Sequence, residues 1–359
     1  MKEGKKDNLI ALSDIKKNGK ERPWKEHKTS SVLLAQSYKR LGYSKKAERV
    51  CECGSQLKFN VCPEGHEKKL SWANFCRVRL CAMCGWRKSL LNAHQVRRVA
   101  HEANQREKLR WLFLTLTIKN PTGDELEDAI NHMSKSFRKL IRRKKFADNV
   151  VGFFRVLEVT RNHKRNNYHP HYHVLLAVKP SYFGKSYMQK DEWTQLWKES
   201  LKVDYEPIVD IRIVKNKRST SKERDILASK GIALSENGAY EELPNSAVAE
   251  VAKYSVKSKD FIRKNNPKLT DEIVSVLDKA LSYKRLLGFG GLLKDIWQEL
   301  RDAGEVEDSE DENADLIHSK EETDCKCSVC HSDMLEELYS WIPSEGNYFK
   351  KNNPAGEQD

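Results

Sequence analysis

The sequence predicts an α+β fold: an antiparallel sheet of about five strands covered by helices on one face, with a cysteine-rich N-terminal module. Three observations predict it. β-Branched and aromatic runs alternate with stripes of helical spacing. Two of those runs are joined by a polar turn and read as a hairpin. Of nine cysteines, six fall between Cys51 and Cys84 and three between Cys325 and Cys330.

Residues 1–30 are polar and lysine-rich, which predicts a disordered basic tail. Residues 31–105 form the cysteine-rich module, with a helix over about 30–50. The sheet domain spans 106–265. Its first strand is "WLFLTLTIKN" (111–120), broken by "NPTGD". Leu126, Ile130, Met133, Phe137 and Leu140 then repeat at 4, 3, 4, 3 and predict an amphipathic helix. "VVGFFRVLEVT" (150–160) and "YHPHYHVLLA" (168–177) are the hairpin strands, joined by "RNHKRNN". Trp193, Leu196, Trp197 and Leu201 mark a helix, and "PIVDIRIVK" (207–215) alternates like a strand. Residues 216–243 read as a loop-rich excursion. Asn245 can cap a helix through "SAVAEVAKYSVKSKDF". Residues 266–303 are helical with "GFGG" as an interruption, 304–324 are an acidic linker, and 325–359 are a small cysteine-containing tail.

The formal net charge of +13 favours a polyanionic partner, because Lys and Arg gain affinity by displacing counterions from phosphates. No apolar run approaches the roughly 18 residues of a membrane helix. The opening "MKEGKKDNLIALSD" lacks a secretory core. A cytoplasmic protein is therefore expected, one whose clustered thiols stay reduced and point to metal before disulfide.

Residues two apart on a strand share a face, so His171 and His173 can grip one divalent ion. His169 joins them only if the strand stays regular past Pro170, and Glu158 offers a carboxylate from the neighbouring strand. Two imidazoles and a carboxylate with open positions suit Mg²⁺ or Mn²⁺ acting on a phosphate. The same histidines could equally be hydrogen-bonded or hold a structural ion. Glu250 and Tyr254, four apart on the expected helix, share a face. Tyr254 can act as a covalent nucleophile and Glu250 can activate water, with Lys253 and Lys257 close by to bind phosphate. Cys53, Cys76, Cys81 and Cys84 supply four thiolates for tetrahedral Zn²⁺. Cys51, Cys62 and His66 are further choices, and a second ion is open. Cys325, Cys327, Cys330 and His331 could form a small site of their own. The run Arg142–Lys145 reads as a solvated helix end.

Taken in order, "FLTLTIKN", "HPHYHVLLAV" and "EVAKYSVK" resemble the rolling-circle replication initiators of small bacterial plasmids, in the HUH endonuclease superfamily. "FCRVRLCAMCGWRKSLL", the two-tryptophan helix and "RLLGFGGLLKDI" also match, so the resemblance covers roughly 50–300. It implies an HUH/RRM-like sheet and a single-strand DNA nickase and strand transferase. Tyr254 would be left as a 5′-phosphotyrosine, with a free 3′-OH for a host polymerase while a host helicase unwinds. His171 and His173 would hold the catalytic ion, with Glu158 as third ligand and His169 as runner-up. Glu250 would promote water cleavage at termination, and the Cys53 tetrad would hold structural zinc. Origin DNA is the implied partner, single-stranded at the nick, and homo-oligomerisation is left open. Two alternatives stand beside this: an HUH transposase, and a non-enzymatic zinc-containing DNA-binding regulator. A relaxase is disfavoured, because there the tyrosine precedes the histidines.

Overall fold

A computed structural model describes residues 10–16, 19–214, 243–252, 256–311, 313–317 and 326–351. Its elements, in chain order, are α1 (Trp24–Arg40), α2 (Ser44–Glu52), β1 (Gln56–Val61), β2 (Lys68–Ala73), α3 (Ala82–Arg106), β3 (Arg110–Thr117), α4 (Leu126–Leu140), β4 (Val150–Asn162) and β5 (Asn167–Val178). There follow α5 (Lys190–Leu201), β6 (Val209–Ile213), α6 (Asn245–Ala252), α7 (Pro267–Leu281), β7 (Leu287–Gly291), α8 (Leu292–Asp302), β8 (Leu335–Ile342) and β9 (Asn347–Lys350). The chain divides into two compact units: Met1–Lys88 with Phe261–Ser275 and Asp315–Asp359, and Ser89–Asp260 with Val276–Ala314.

The second unit is built on a five-stranded antiparallel sheet in the order β6-β3-β5-β4-β7. The histidine strand β5 is its centre. Val174, Leu175, Leu176, Ala177 and Val178 are all buried there. A run with no polar position has to be covered on both faces, and it is. On one face lies α4, whose predicted stripe is fully buried, with Phe137 set edge-on to both Phe153 and Tyr172. Trp193 and Trp197 of α5 are buried as well, and the Trp197 indole donates to the Thr117 carbonyl at 2.7 Å. On the other face Trp111, Phe154, Val156, Leu175 and Ala177 form a core with Val96 and Val99 of α3, Val248 and Val251 of α6, and Leu293 and Ile296 of α8. The α+β class and five-stranded sheet stand as predicted. The helical cover, expected on one face, extends to both.

"GFGG", read from the sequence as a break between helices, is the edge strand β7 paired with β4. A Cβ at Gly290 would sit 2.2 Å from the Phe153 ring. At Gly291, where φ is +57°, a Cβ would meet the Val151 carbonyl oxygen at 2.2 Å. Those glycines are what let an edge strand close against a crowded neighbour. The helix expected through residues 246–261 is described as α6 and a separate one-turn helix at Ser258–Phe261. Of the excursion at 216–243, only Leu243 lies among the described residues.

The first unit holds a four-stranded antiparallel sheet in the order β2-β1-β8-β9. Residues 325–359, expected as a separate tail, thus supply half of it. Leu57 of β1 and Tyr339 of β8 are both buried and pair directly, so the C-terminal strands complete the core of this unit. The tail expected at 1–30 is also partly built in. The Trp24 indole, 2% exposed, donates to Asp14 at 2.7 Å, and Leu12 donates its backbone N–H to Tyr348 at 3.0 Å. In the acidic stretch, Leu316 is buried and the Arg87 guanidinium donates to the carbonyls of Leu316 and Ile317 at 2.7 and 2.8 Å. The described part of that stretch is packed and is not a free linker.

Gly291→Ala is expected to destabilise the protein by at least about 1–3 kcal/mol, the scale of forcing a side chain into a glycine-only conformation. A fall in the melting temperature read by circular dichroism checks it, and an unaltered melt would remove the steric reading of β7.

Candidate functional site

Register assembles the first cluster. In the β4–β5 ladder Glu158 lies directly opposite His171, and His173 lies opposite Val156. Glu158, His171 and His173 therefore share one face of the two central strands. The Glu158 carboxylate Oε2 is 3.1 Å from His173 Nε2 and 3.5 Å from His171 Nε2. One donor atom from each of the three lies within 4.8 Å of the others.

The polar neighbours orient these groups. His171 Nδ1 is 3.0 Å from the His169 carbonyl oxygen. A carbonyl only accepts, so Nδ1 carries a proton and Nε2 is the nitrogen turned towards the cluster. His173 Nδ1 is 3.3 Å from the Thr115 hydroxyl. That hydroxyl can donate while Nε2–H faces Glu158, or accept from Nδ1–H while Nε2 binds an ion. Burial would push the Glu158 carboxyl up. The two imidazoles and the Lys257 ammonium, 3.1 Å from Oε1, outweigh it and hold the acid well below the usual carboxylate range. Glu158 is thus an ionised carboxylate in a recessed position, 5% exposed at its side chain. An anionic oxygen beside two imidazole nitrogens is a donor set that fits a divalent cation.

His169 stands apart from this trio. Its Nδ1 is 2.8 Å from Asn120 Oδ1, and burial together with nearby His171 pushes its pKa down. It lines a hollow with Thr117, Lys119, Asn120, Arg165 and Tyr205. His173 lines a second hollow that contains Thr115, Arg212 and Glu250. The helix α6, which carries Glu250, packs on β4 and β5, so Glu250 and the histidine strand face the same space. Lys257, expected as a phosphate contact, lies against the cluster through Glu158. Tyr254 and Lys253 lie outside the described residues.

The first unit brings together the second predicted set. Cys53, Cys76, Cys81 and Cys84 are all buried and converge. The Cys53 sulfur is 3.5 Å from those of Cys81 and Cys84, and Cys76 is 3.8 Å from Cys84. Backbone N–H groups of Cys76, Arg77 and Val78 donate to the sulfurs of Cys53, Cys84 and Cys76 at 3.2–3.4 Å. These amides give the buried sulfurs polar partners from the backbone. Lys28, 1% exposed, donates to the carbonyls of Cys51 and Cys53 at 2.6 and 2.9 Å. Its ammonium interacts with Cys53 and Cys81, although burial pushes its own pKa down. Cys51 is exposed and, like Cys62 and His66, does not belong to this tetrad.

A family model described as "Replication protein" matches residues 67–349. The chain belongs to the replication protein family. As its motifs suggested, it is a plasmid rolling-circle replication initiator, for which origin DNA is the partner. Among relatives, a "Protein rep" of Bacillus amyloliquefaciens is 43% identical over 95% of this chain and 97% of its own. A "Protein rep" of Streptococcus pneumoniae serotype 2 is 38% identical over 95% and 96%. A "Replication protein" of Staphylococcus aureus is 35% identical over 70% and 95%. No solved structure matches the chain. Among the described residues, no helix of the initiator is long and apolar enough to cross a membrane.

Sequence reasoning did not single out Thr115, Asn120 or Lys28. The first two lie within the quoted "FLTLTIKN"; the β3–β5 register sets Thr115 opposite His173, and Asn120, past the end of β3, meets His169 through its side chain. Lys28 carries no signal beyond an ordinary helix lysine.

Titration of the initiator with Mn²⁺, read by calorimetry, separates these contacts. Thr115→Val should weaken binding about 10–100-fold, the usual effect of losing a group that orients a ligating histidine. Asn120→Ala should leave it close to unaltered. A loss in Asn120→Ala as large as that in Thr115→Val would bring His169, which Asn120 orients, into the ligand set.

Proposed function

We propose that this initiator is an HUH-type, site-specific DNA nickase and strand transferase acting at the plasmid's double-strand origin. The observation that carries the reading is the convergence of Glu158, His171 and His173 on the central strands, with Glu250 facing the same hollow. The single strand would lie across this face, with Lys119, Arg165 and Arg212 placed to meet its phosphates. Lys257, held beside the cluster by Glu158, adds a cation next to the scissile phosphate.

Glu158, His171 and His173 would hold the catalytic ion. Mn²⁺ or Mg²⁺ bound there supplies Lewis-acid polarisation of a phosphate oxygen. The Tyr254 oxygen gives up its proton and attacks phosphorus. An O–P bond forms, the bond to the 3′ oxygen breaks, and that oxygen takes up, by way of solvent, the proton the tyrosine released and leaves as a free 3′-OH. The 5′ phosphate stays on the tyrosine. A host polymerase extends the 3′-OH while a host helicase unwinds the duplex. At termination Glu250 takes a proton from water, which cleaves a second time without leaving a new covalent adduct. A single nucleophilic tyrosine with a glutamate four residues before it suits that division. Cys53, Cys76, Cys81 and Cys84 would hold structural Zn²⁺, in a cytoplasm that keeps their thiols reduced.

The test is a nicking assay on a single-stranded origin oligonucleotide with Mn²⁺ or Mg²⁺. A covalent protein–DNA adduct is expected, absent in Tyr254→Phe and His171→Ala. Glu250→Ala should nick normally yet release poorly at termination. An adduct that persists in Tyr254→Phe would remove the nucleophile. Full origin binding with no nicking in the unaltered protein would instead favour a DNA-binding regulator.

A further inference from the structure

The sequence offered Cys62 and His66 as spare ligands for the first tetrad, and grouped Cys327 and Cys330 with His331 in a site of their own. The fold separates both groups and recombines them. Cys62 and His66 flank the tight turn between β1 and β2, closed by a hydrogen bond from Gly65 N to Cys62 O at 2.9 Å. Cys327 and Cys330 precede β8, whose first residue Leu335 pairs with Val61. That pairing sets the Cys-x2-Cys segment beside the turn.

The four side chains meet there. The Cys62 sulfur is 3.5 Å from that of Cys330 and 3.6 Å from His66 Nδ1, which is 4.0 Å from the Cys327 sulfur. All four donor atoms lie within 4.8 Å of one another. Cys62 and Cys327 are 1% and 0% exposed. The Val329 N–H donates to the Cys327 sulfur at 3.4 Å, and His331 N–H donates to the Cys327 carbonyl at 2.9 Å. Glu67, next to His66, clamps the same segment through Ser328, accepting from its hydroxyl at 2.6 Å and its amide at 2.9 Å. His331 is not part of the cluster, and Cys325 lies outside the described residues. The set shares no residue with the Cys53 tetrad.

We infer that Cys62, His66, Cys327 and Cys330 form a second structural Zn²⁺ site that fastens the C-terminal hairpin to the N-terminal strands. Three thiolates and an imidazole are a soft, closed, four-donor set with no place left for a substrate, which is the composition of structural zinc. Two ligands come from each end of the chain, so the ion closes a loop running from residue 66 to residue 327. A link of that span restricts the unfolded chain strongly. The site is independent of the nicking reaction and does not rest on it.

Zinc content of the full-length chain, purified under reducing conditions and measured by plasma mass spectrometry, tests this. Cys62→Ser, and the double variant Cys327→Ser with Cys330→Ser, should each hold one zinc fewer per chain than the unaltered protein. Cys51→Ser, outside both clusters, should lose none. Should the serine variants fail to fold, alkylation of the unaltered protein gives the answer. Cys327 and Cys330 should resist iodoacetamide in the zinc-loaded protein and become reactive once EDTA is added. Zinc content unaltered in the serine variants, or alkylation indifferent to EDTA, would overturn the site.

Discussion

Glu158 and His171 face each other across the β4–β5 ladder, and the cluster around them depends on that pairing. Side chains alternate between the faces of a sheet, so a slip of one residue would send Glu158 to the opposite face from the histidines. The register is held by large apolar neighbours. Phe154 and Leu175 pair four residues along the same ladder, and a slip of one residue would take one of them out of the core under α3, α6 and α8. The apolar half of the hairpin thus sets the geometry of its polar half.

That division along the hairpin explains how three polar groups can sit so close together in a recessed position. Uncompensated, a carboxylate this recessed would take up a proton. Here it is flanked by two imidazoles and an ammonium, and it stays charged. The imidazoles are themselves braced, one by a backbone carbonyl and one by Thr115. Below them the strand runs into a packed core that does not give. The cluster is a stiff fixture at the open end of a sheet whose other end is closed.

Much of this was legible in the sequence because the relevant signals are local or ordered. The α4 stripe, the hairpin and the alternating histidines need only periodicity, whereas the Cys53 tetrad needed the family resemblance to stand out from Cys51, Cys62 and His66. What stayed hidden depends on contacts between distant residues. "GFGG" carries no strand signal, because its glycines answer to Phe153 and Val151 on another strand. Leu175 and Ala177 look no different from Val174 and Leu176, so a second helical layer could not be read from β5 alone. Cys327 was grouped with His331 on proximity in sequence, while its fold neighbours lie at Cys62 and His66. Tyr254 falls outside the described residues, so its role rests on its place in the motif.

The four-stranded sheet joins strands from opposite ends of the chain, with residues 62–334 intervening between β1 and β8. During synthesis β1 and β2 leave the ribosome well before β8, and one edge of β1 has no partner until β8 is made. An open edge of that kind is a template for unwanted pairing with other chains. A product cut short before residue 335 would keep it permanently. The core of the first unit can therefore close only once β8 and β9 have been made and paired.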